Sequence, residues 1–205
     1  MRRAVAAGIA ALMAVAAGCG GQGSSSAPSK PAATTGAPSS APAATGSSRC
    51  VSGRLTPEQT EGPFFKPGSP ERERVDVGST GQPLVLTGRV FSSRCRPVAH
   101  ARMEFWQADG RGSYDNVGYR LRGHEFTDAQ GRYRLTAVYP GLYTGRTRHI
   151  HVKVEPPGGR ALTTQLYFPG EPRNRSDGIY DPDLVMRLRR VAGGRRGSFD
   201  FVVRA

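Results

Sequence analysis

Tyr143-Thr-Gly-Arg-Thr-Arg-His149-Ile-His151-Val-Lys-Val-Glu155 is the stretch that decides the fold, and it also points to chemistry. Its apolar residues alternate: Ile150, Val152 and Val154 fall on one side, His149, His151 and Lys153 on the other. Period two marks a β-strand, in which residues i and i+2 share a face about 7 Å apart at Cα. The apolar side must be the buried one, so the two imidazoles look across toward something else. Two rings on one face can converge on a single metal ion, and Tyr143 and Arg146 add a phenol and a guanidinium close by. An isolated His-x-His is equally what a half-solvated strand carries on its wet face, so the pair alone leaves both readings open.

Strand signals extend outward from there. Residues 84–91, 100–107, 133–139, 147–155, 162–168 and 198–204 read as strands separated by Gly, Pro and Asp clusters, with Asp128-Ala-Gln-Gly131 as a turn. Helix is scarce: Asp181-Pro182 predicts the cap of one short helix through Arg190, with Leu184, Val185 and Leu188 inward. The expected fold is all-β, an antiparallel β-sandwich with little helix. If 147–155 and 162–168 are neighbours, period two puts Gln165 on the same side as His149 and His151, and a one-residue slip reverses it.

The chain opens Met1-Arg2-Arg3, continues through an Ala-rich apolar run and reaches Ala16-Ala17-Gly18-Cys19. Residues 1–18 read as a secretory signal, too short for a stable membrane span. The ending resembles a bacterial lipobox, in which Cys19 is acylated and holds the protein to the membrane; an ordinary signal peptide beside an incidental cysteine is the alternative. Residues 19–49, nearly all Gly, Ser, Ala, Pro, Thr and Gln, form a tether that cannot bury a core. One domain remains, residues 50–205. The expected location is extracytoplasmic, on the cell surface. With Cys19 acylated, Cys50 and Cys95 are an even pair in an oxidising compartment and most simply form a disulfide.

The net charge of +13 is carried mostly by arginine. These arginines are scattered over loops and strands without a groove-reading helix or zinc-finger pattern, so no nucleic-acid partner is expected. A basic surface attracted to anionic envelope polymers or anionic aromatic compounds fits better.

Several segments together carry a resemblance: Thr60-Glu-Gly-Pro-Phe-Phe65, Gly88-Arg-Val, Glu104-Phe-Trp-Gln-Ala-Asp109 with Gly112-Ser-Tyr114, Arg122-Gly123, Thr127-Asp128 and Gly131-Arg-Tyr133, Pro140-Gly-Leu-Tyr143, Arg146-Thr-Arg-His-Ile-His151, and Leu162-Thr-Thr-Gln-Leu-Tyr-Phe168. In this order they resemble the intradiol ring-cleavage dioxygenases, the family of catechol 1,2- and protocatechuate 3,4-dioxygenases. After residue 168 the match is weak.

The resemblance implies a mononuclear non-haem Fe(III) held by Tyr114, Tyr143, His149 and His151, with a solvent hydroxide as a further ligand. Two phenolates and one hydroxide cancel the ion's three positive charges. It implies a small-molecule catechol and O2 as substrates and a muconate-type dicarboxylate as product, both oxygen atoms being incorporated. Tyr143 is displaced by the substrate and acts as a base. Arg146 stabilises developing carbanion charge, with Gln165 beside it in an electrostatic role.

Departures from the family pattern are visible too. Only Thr144-Gly145 separates Tyr143 from Arg146, much shorter than in the cytosolic enzymes, which implies a more open site. Arg148 and His124 are extra contacts for anionic substrates or plain surface residues. The helical dimerisation region of the cytosolic enzymes has no counterpart, so the oligomeric state, homodimer included, is open. The competing readings are a non-catalytic extracellular β-sandwich that keeps the fold for binding, and a zinc or copper protein reusing the histidines. Two tyrosines combined with His-x-His favour the enzyme, since a binding module needs none of them.

Overall fold

The computed structural model describes residues 50–205. The expected signal peptide, the expected acylation site Cys19 and the expected tether lie outside the described residues. Nine strands follow one another: β1 (Pro83–Ser92), β2 (Arg102–Trp106), β3 (Arg122–Phe126), β4 (Arg132–Val138), β5 (His149–Glu155), β6 (Leu162–Tyr167), β7 (Arg187–Val191), β8 (Gly194–Ser198) and β9 (Phe201–Val203). Two short 3-10 turns, Pro172–Arg175 and Pro182–Leu184, interrupt them, and there is no α-helix among the described residues. The all-β sandwich expected from the alternating pattern is what forms.

One sheet has the order β4-β1-β8-β7, with β9 also pairing β1; the other has the order β3-β2-β5-β6 and is antiparallel throughout. The first sheet departs from the antiparallel expectation, since β1 pairs in parallel with β8 and then with β9. Leu84, Leu86 and Val90 of β1 meet Met103, Phe105, Ile150, Val152 and Val154 of the second sheet in one core, each of these side chains fully or almost fully buried. Burying a side chain of this size contributes roughly 1.5–3 kcal/mol. The alternation Ile150-x-Val152-x-Val154 therefore fixes which face of β5 points inward.

The helix expected through Arg190 does not form. Asp181 caps the turn, accepting from the backbone N–H of Asp183, but one 3-10 turn is all that follows. The chain then becomes β7, because Leu184, Met186 and Leu188 face inward with period two, the first two almost wholly buried. The expected strand 198–204 is likewise two pieces, β8 ending at Ser198 and β9 starting at Phe201. Strand β3 was not anticipated, since Arg122-Gly-His-Glu-Phe126 carries no apolar alternation.

The second sheet's outer face carries His149, His151 and Lys153, and it is not open to water: His149 and His151 are 4% and 2% exposed. The segment 56–65 lies across it as a strap. Gln59 donates its backbone N–H to Thr163 O, Gln165 Nε2 donates to Thr60 O, and Tyr167 Oη donates to Gln59 Oε1. Lys153 pairs with Glu61 and sits 3.8 Å from the Phe65 ring centroid. Residues 50 and 95 are joined by a disulfide, tying the beginning of the domain to the turn after β1.

Candidate metal centre

His149 opens β5, and its neighbours fix its ring. Nδ1 lies 2.7 Å from Thr147 O. A carbonyl only accepts, so Nδ1 carries the proton and the lone pair sits on Nε2. His151 follows on the same face with its ring stacked flat on Trp106, centroids 4.9 Å apart at 7°. The two Nε2 atoms are 3.1 Å apart, and Tyr114 Oη is 3.2 Å from His149 Nε2.

Tyr114 arrives from the loop between β2 and β3. Asp109 shapes that loop by accepting from the backbone N–H of Arg111 and Ser113 through Oδ1. Asp115 accepts from Val117, Gly118 and Arg120, and these backbone donors hold its carboxyl at about 2. Phe64 of the strap stacks on the Tyr114 ring at 4.3 Å and meets the Tyr143 ring edge-on at 5.1 Å. Tyr143 is half-buried, its ring 5.7 Å from that of Tyr114 and nearly perpendicular to it. The loops bearing the two tyrosines touch through backbone: a Cβ on Gly112 would lie 2.2 Å from Leu142 O, and one on Gly141 would lie 2.2 Å from Gly112 N. Only glycine permits that approach.

Arg146 reaches the same place from the far side. Its Nη2 donates to Gln165 Oε1 at 2.8 Å, and Gln165 sits opposite His151 in the β5–β6 register. The side expected for Gln165 is the one it occupies. Positive charge from Arg146 bears on His149, His151 and Tyr114 alike.

Burial lowers His149 to about 4 and holds His151 well below the usual imidazole range, the latter also through the charge of His149. Both rings are neutral at pH 7. Burial also pushes the Tyr114 phenol upward, against the opposing pull of Arg146 and Arg122. The donor set fits a metal ion. His149 Nε2 presents its lone pair 3.1 Å from His151 Nε2 and 3.2 Å from Tyr114 Oη, while His151 Nδ1 is buried without a hydrogen-bond partner, so imidazole and phenol groups of the kind that ligate metal ions converge on one point. A phenol in this setting ionises when such an ion supplies the charge. Hard oxygen donors beside imidazole suit ferric iron. Among the described residues no cluster of three or more His, Cys, Asp or Glu side chains offers an alternative metal site.

The family model described as Dioxygenase matches residues 60–205. The chain belongs to the intradiol ring-cleavage dioxygenase family. Catechol 1,2-dioxygenase 2 of Acinetobacter lwoffii is 35% identical, the alignment covering 57% of this chain and 52% of that protein. Hydroxyquinol 1,2-dioxygenase of Rhodococcus opacus is 34% identical, over 58% of this chain and 48% of that one. The chain thus spans about half the length of these curated relatives. Among solved structures, the dioxygenase domain of a dioxygenase–carbohydrate-binding protein fusion from the cellulolytic bacterium Streptomyces sp. SirexAA-E is 51% identical, with a TM-score of 0.72 over 74% of this chain and 99% of that one. The 3-chlorocatechol 1,2-dioxygenase of Rhodococcus opacus 1CP is 27% identical, with a TM-score of 0.69 over 74% of this chain and 73% of that one.

Two of the sequence candidates have other engagements. Arg148 pairs with Glu171, donates to Pro140 O and stacks over Tyr139. The His124 ring contacts the Ser69 hydroxyl and Phe126. Conversely, three residues with no assigned role shape the intradiol dioxygenase site. Arg122, almost fully buried, donates to Phe64 O and Asp115 O and so binds the strap to the Tyr114 loop. Trp106 supports His151. Asp177 accepts from Arg146 Nε. Arg122 stands in one of the quoted motifs, Arg122-Gly123, which was the available signal for it, whereas Asp177 lies after the last of them.

Proposed function

We propose that this protein is an Fe(III)-dependent intradiol dioxygenase that cleaves catechol-type rings with O2 to muconate-type dicarboxylates. The convergence of Tyr114 Oη, His149 Nε2 and His151 Nε2 within 3.2 Å steps, with Tyr143 alongside, carries this reading. Tyr114, Tyr143, His149 and His151 are the residues that would hold the iron. When bound, the ferric ion supplies charge to ionise the phenols and the catechol hydroxyls, and it makes the substrate ring reactive toward O2.

The chain's own groups supply the rest. His149 is held in one tautomer by Thr147 O, which keeps its Nε2 lone pair directed into the site. Tyr143 lies on a short exposed loop, so its phenolate, once ionised by the bound ion, would be the one placed to move and accept a proton from a catechol hydroxyl at Oη. Tyr114, clamped under Phe64, stays in place. Arg146, with Gln165 against its Nη2, presents fixed positive charge where the ring gains electron density. Phe64 and the strap exclude water from one side.

The same proposal includes export and lipid attachment at Cys19, placing the domain outside the cytoplasm on the membrane surface. The Cys50–Cys95 bond supports this, since such bonds persist in oxidising compartments. Oxygen uptake by iron-replete protein with catechol, protocatechuate and hydroxyquinol, with products identified, tests the activity. Ring-opened dicarboxylate from at least one of them is expected. No uptake with any of the three, from protein that retains iron, would leave the non-catalytic binding module as the better reading.

A further inference from the structure

The side chain of Asp177 is 1% exposed and belongs to the segment after the first 3-10 turn, C-terminal to the motifs quoted above and inside the span of the family match. Its Oδ2 accepts from Arg146 Nε at 2.8 Å and from the Thr147 backbone N–H at 2.7 Å. Its Oδ1 accepts from Ile179 N–H at 3.2 Å. The carboxylate thus has both oxygens occupied and cannot swing. Asn174 grips the same point from the same segment: Thr147 Oγ1 donates to Asn174 Oδ1 at 2.6 Å, and Asn174 Nδ2 donates to Phe168 O.

Arg146 has two anchored corners as a result. Nε is tied to Asp177 and Nη2 to Gln165, while Gln165 is itself fixed to Thr60 O through Nε2. A guanidinium is planar, so two fixed donors set the orientation of the whole group. Before Arg146 the exposed Thr144-Gly145 pair is closed by one turn hydrogen bond, Arg146 N–H to Tyr143 O, and Gly145, with a φ of +74°, has nothing within 4 Å of where a Cβ would sit. The restraint on the Arg146 guanidinium therefore comes from Asp177 and Gln165.

We propose that Asp177 is a positioning residue for the ring-cleavage reaction, holding the Arg146 guanidinium in the orientation that places its charge over the site. This rests on the function proposed above. Asp177 makes no hydrogen bond to the candidate ligands; it holds Arg146 directly and, through the Thr147 N–H, the residue whose carbonyl fixes His149, so iron retention in the variants separates the two routes. A loop anchor with no such role would affect stability alone.

A double-variant cycle on the iron-replete full chain tests this, with Asp177→Ala, Arg146→Ala and the combination. Asp177→Ala is expected to keep the iron and its visible band, to leave KM for the best catechol within about twofold, and to lower kcat at least tenfold. In the Arg146→Ala background the same substitution should change kcat less than twofold. Asp177→Asn, isosteric and still an acceptor, should recover part of the loss, and it serves if the alanine variant fails to fold. A kcat unchanged in both single Asp177 variants, or losses that multiply in the combination, would overturn the proposal.

A second readout needs no turnover. In metal-free protein the Arg146 Nε–H should give a protected resonance in a 15N–1H spectrum, lost in Asp177→Ala; persistence of that protection overturns the clamp. If wild-type protein neither holds iron nor opens any catechol ring, the functional reading fails, and the resonance still decides the clamp.

Discussion

The indole of Trp106 lies flat against the imidazole of His151, because the two residues stand directly opposite each other on adjacent antiparallel strands. The indole is 1% exposed and forms a floor under the ring. Trp106→Ala is expected to lower stability by about 3–5 kcal/mol and to weaken iron retention, while Trp106→Phe keeps a ring beneath His151 and loses less of both. Urea unfolding together with iron content per chain checks this. Full iron retention in the alanine variant would show that His151 is held without the indole.

Gly62 of the strap also comes close to His151. Its φ is +73°, and a Cβ there would come within 3.1 Å of His151 Cε1. Gly62→Ala combines a backbone penalty of about 1–2 kcal/mol with pressure on the ring. The expected result is a lower thermal midpoint and weaker iron binding, read by differential scanning fluorimetry and chelator competition. Gly78, with a similar φ of +69° but nothing within 4 Å, is the control, expected to lose stability without affecting iron.

Glu125 gives a pH dependence away from the site. Burial raises its carboxyl to about 7, with Glu73 adding to the rise and the Arg134 backbone N–H opposing it. The folded protein therefore holds a proton between roughly 4.5 and 7 that the unfolded chain has released. Stability falls as pH rises through that window. Glu125→Gln removes the penalty, so the variant is expected to be more stable than wild type at pH 8 and equal to it at pH 4. Denaturant midpoints at the two pH values check the sign; equal midpoints at pH 8 would refute it.

The disulfide spans 45 residues between Cys50 and Cys95. Restricting the unfolded chain over such a loop contributes about 4 kcal/mol as an upper figure. Cys50→Ser is expected to lower the thermal midpoint of protein handled without reductant. It should leave protein under strong reductant unchanged relative to wild type. An equal midpoint in the absence of reductant would show that the bond adds nothing.

Much of this arrangement was legible because it is local and periodic. Ile150, Val152 and Val154 set the buried face of β5, and a short link to β6 carried the same logic to Gln165, which pairs with His151. Period also explains the main error. Leu184, Val185 and Leu188 suit a helix as well as a strand, and Met186 was the residue that distinguished them, since it is buried between Leu184 and Leu188. Strand β3 was hidden because Arg122, Gly123, His124 and Glu125 offer no apolar side chain to alternate. Asp177 was invisible for a different reason: a carboxylate 31 residues from its arginine announces itself only when the chain closes.

The most direct measurement is a titration of metal-free protein with ferric iron, followed by visible absorbance in wild type, Tyr114→Phe and His149→Ala. Wild type is expected to take up one equivalent and turn red-brown from phenolate-to-iron charge transfer, with His149→Ala failing to retain the metal and Tyr114→Phe losing iron or colour. Protein that stays colourless at saturating iron, or variants that match wild type, would contradict a ferric centre built from these side chains.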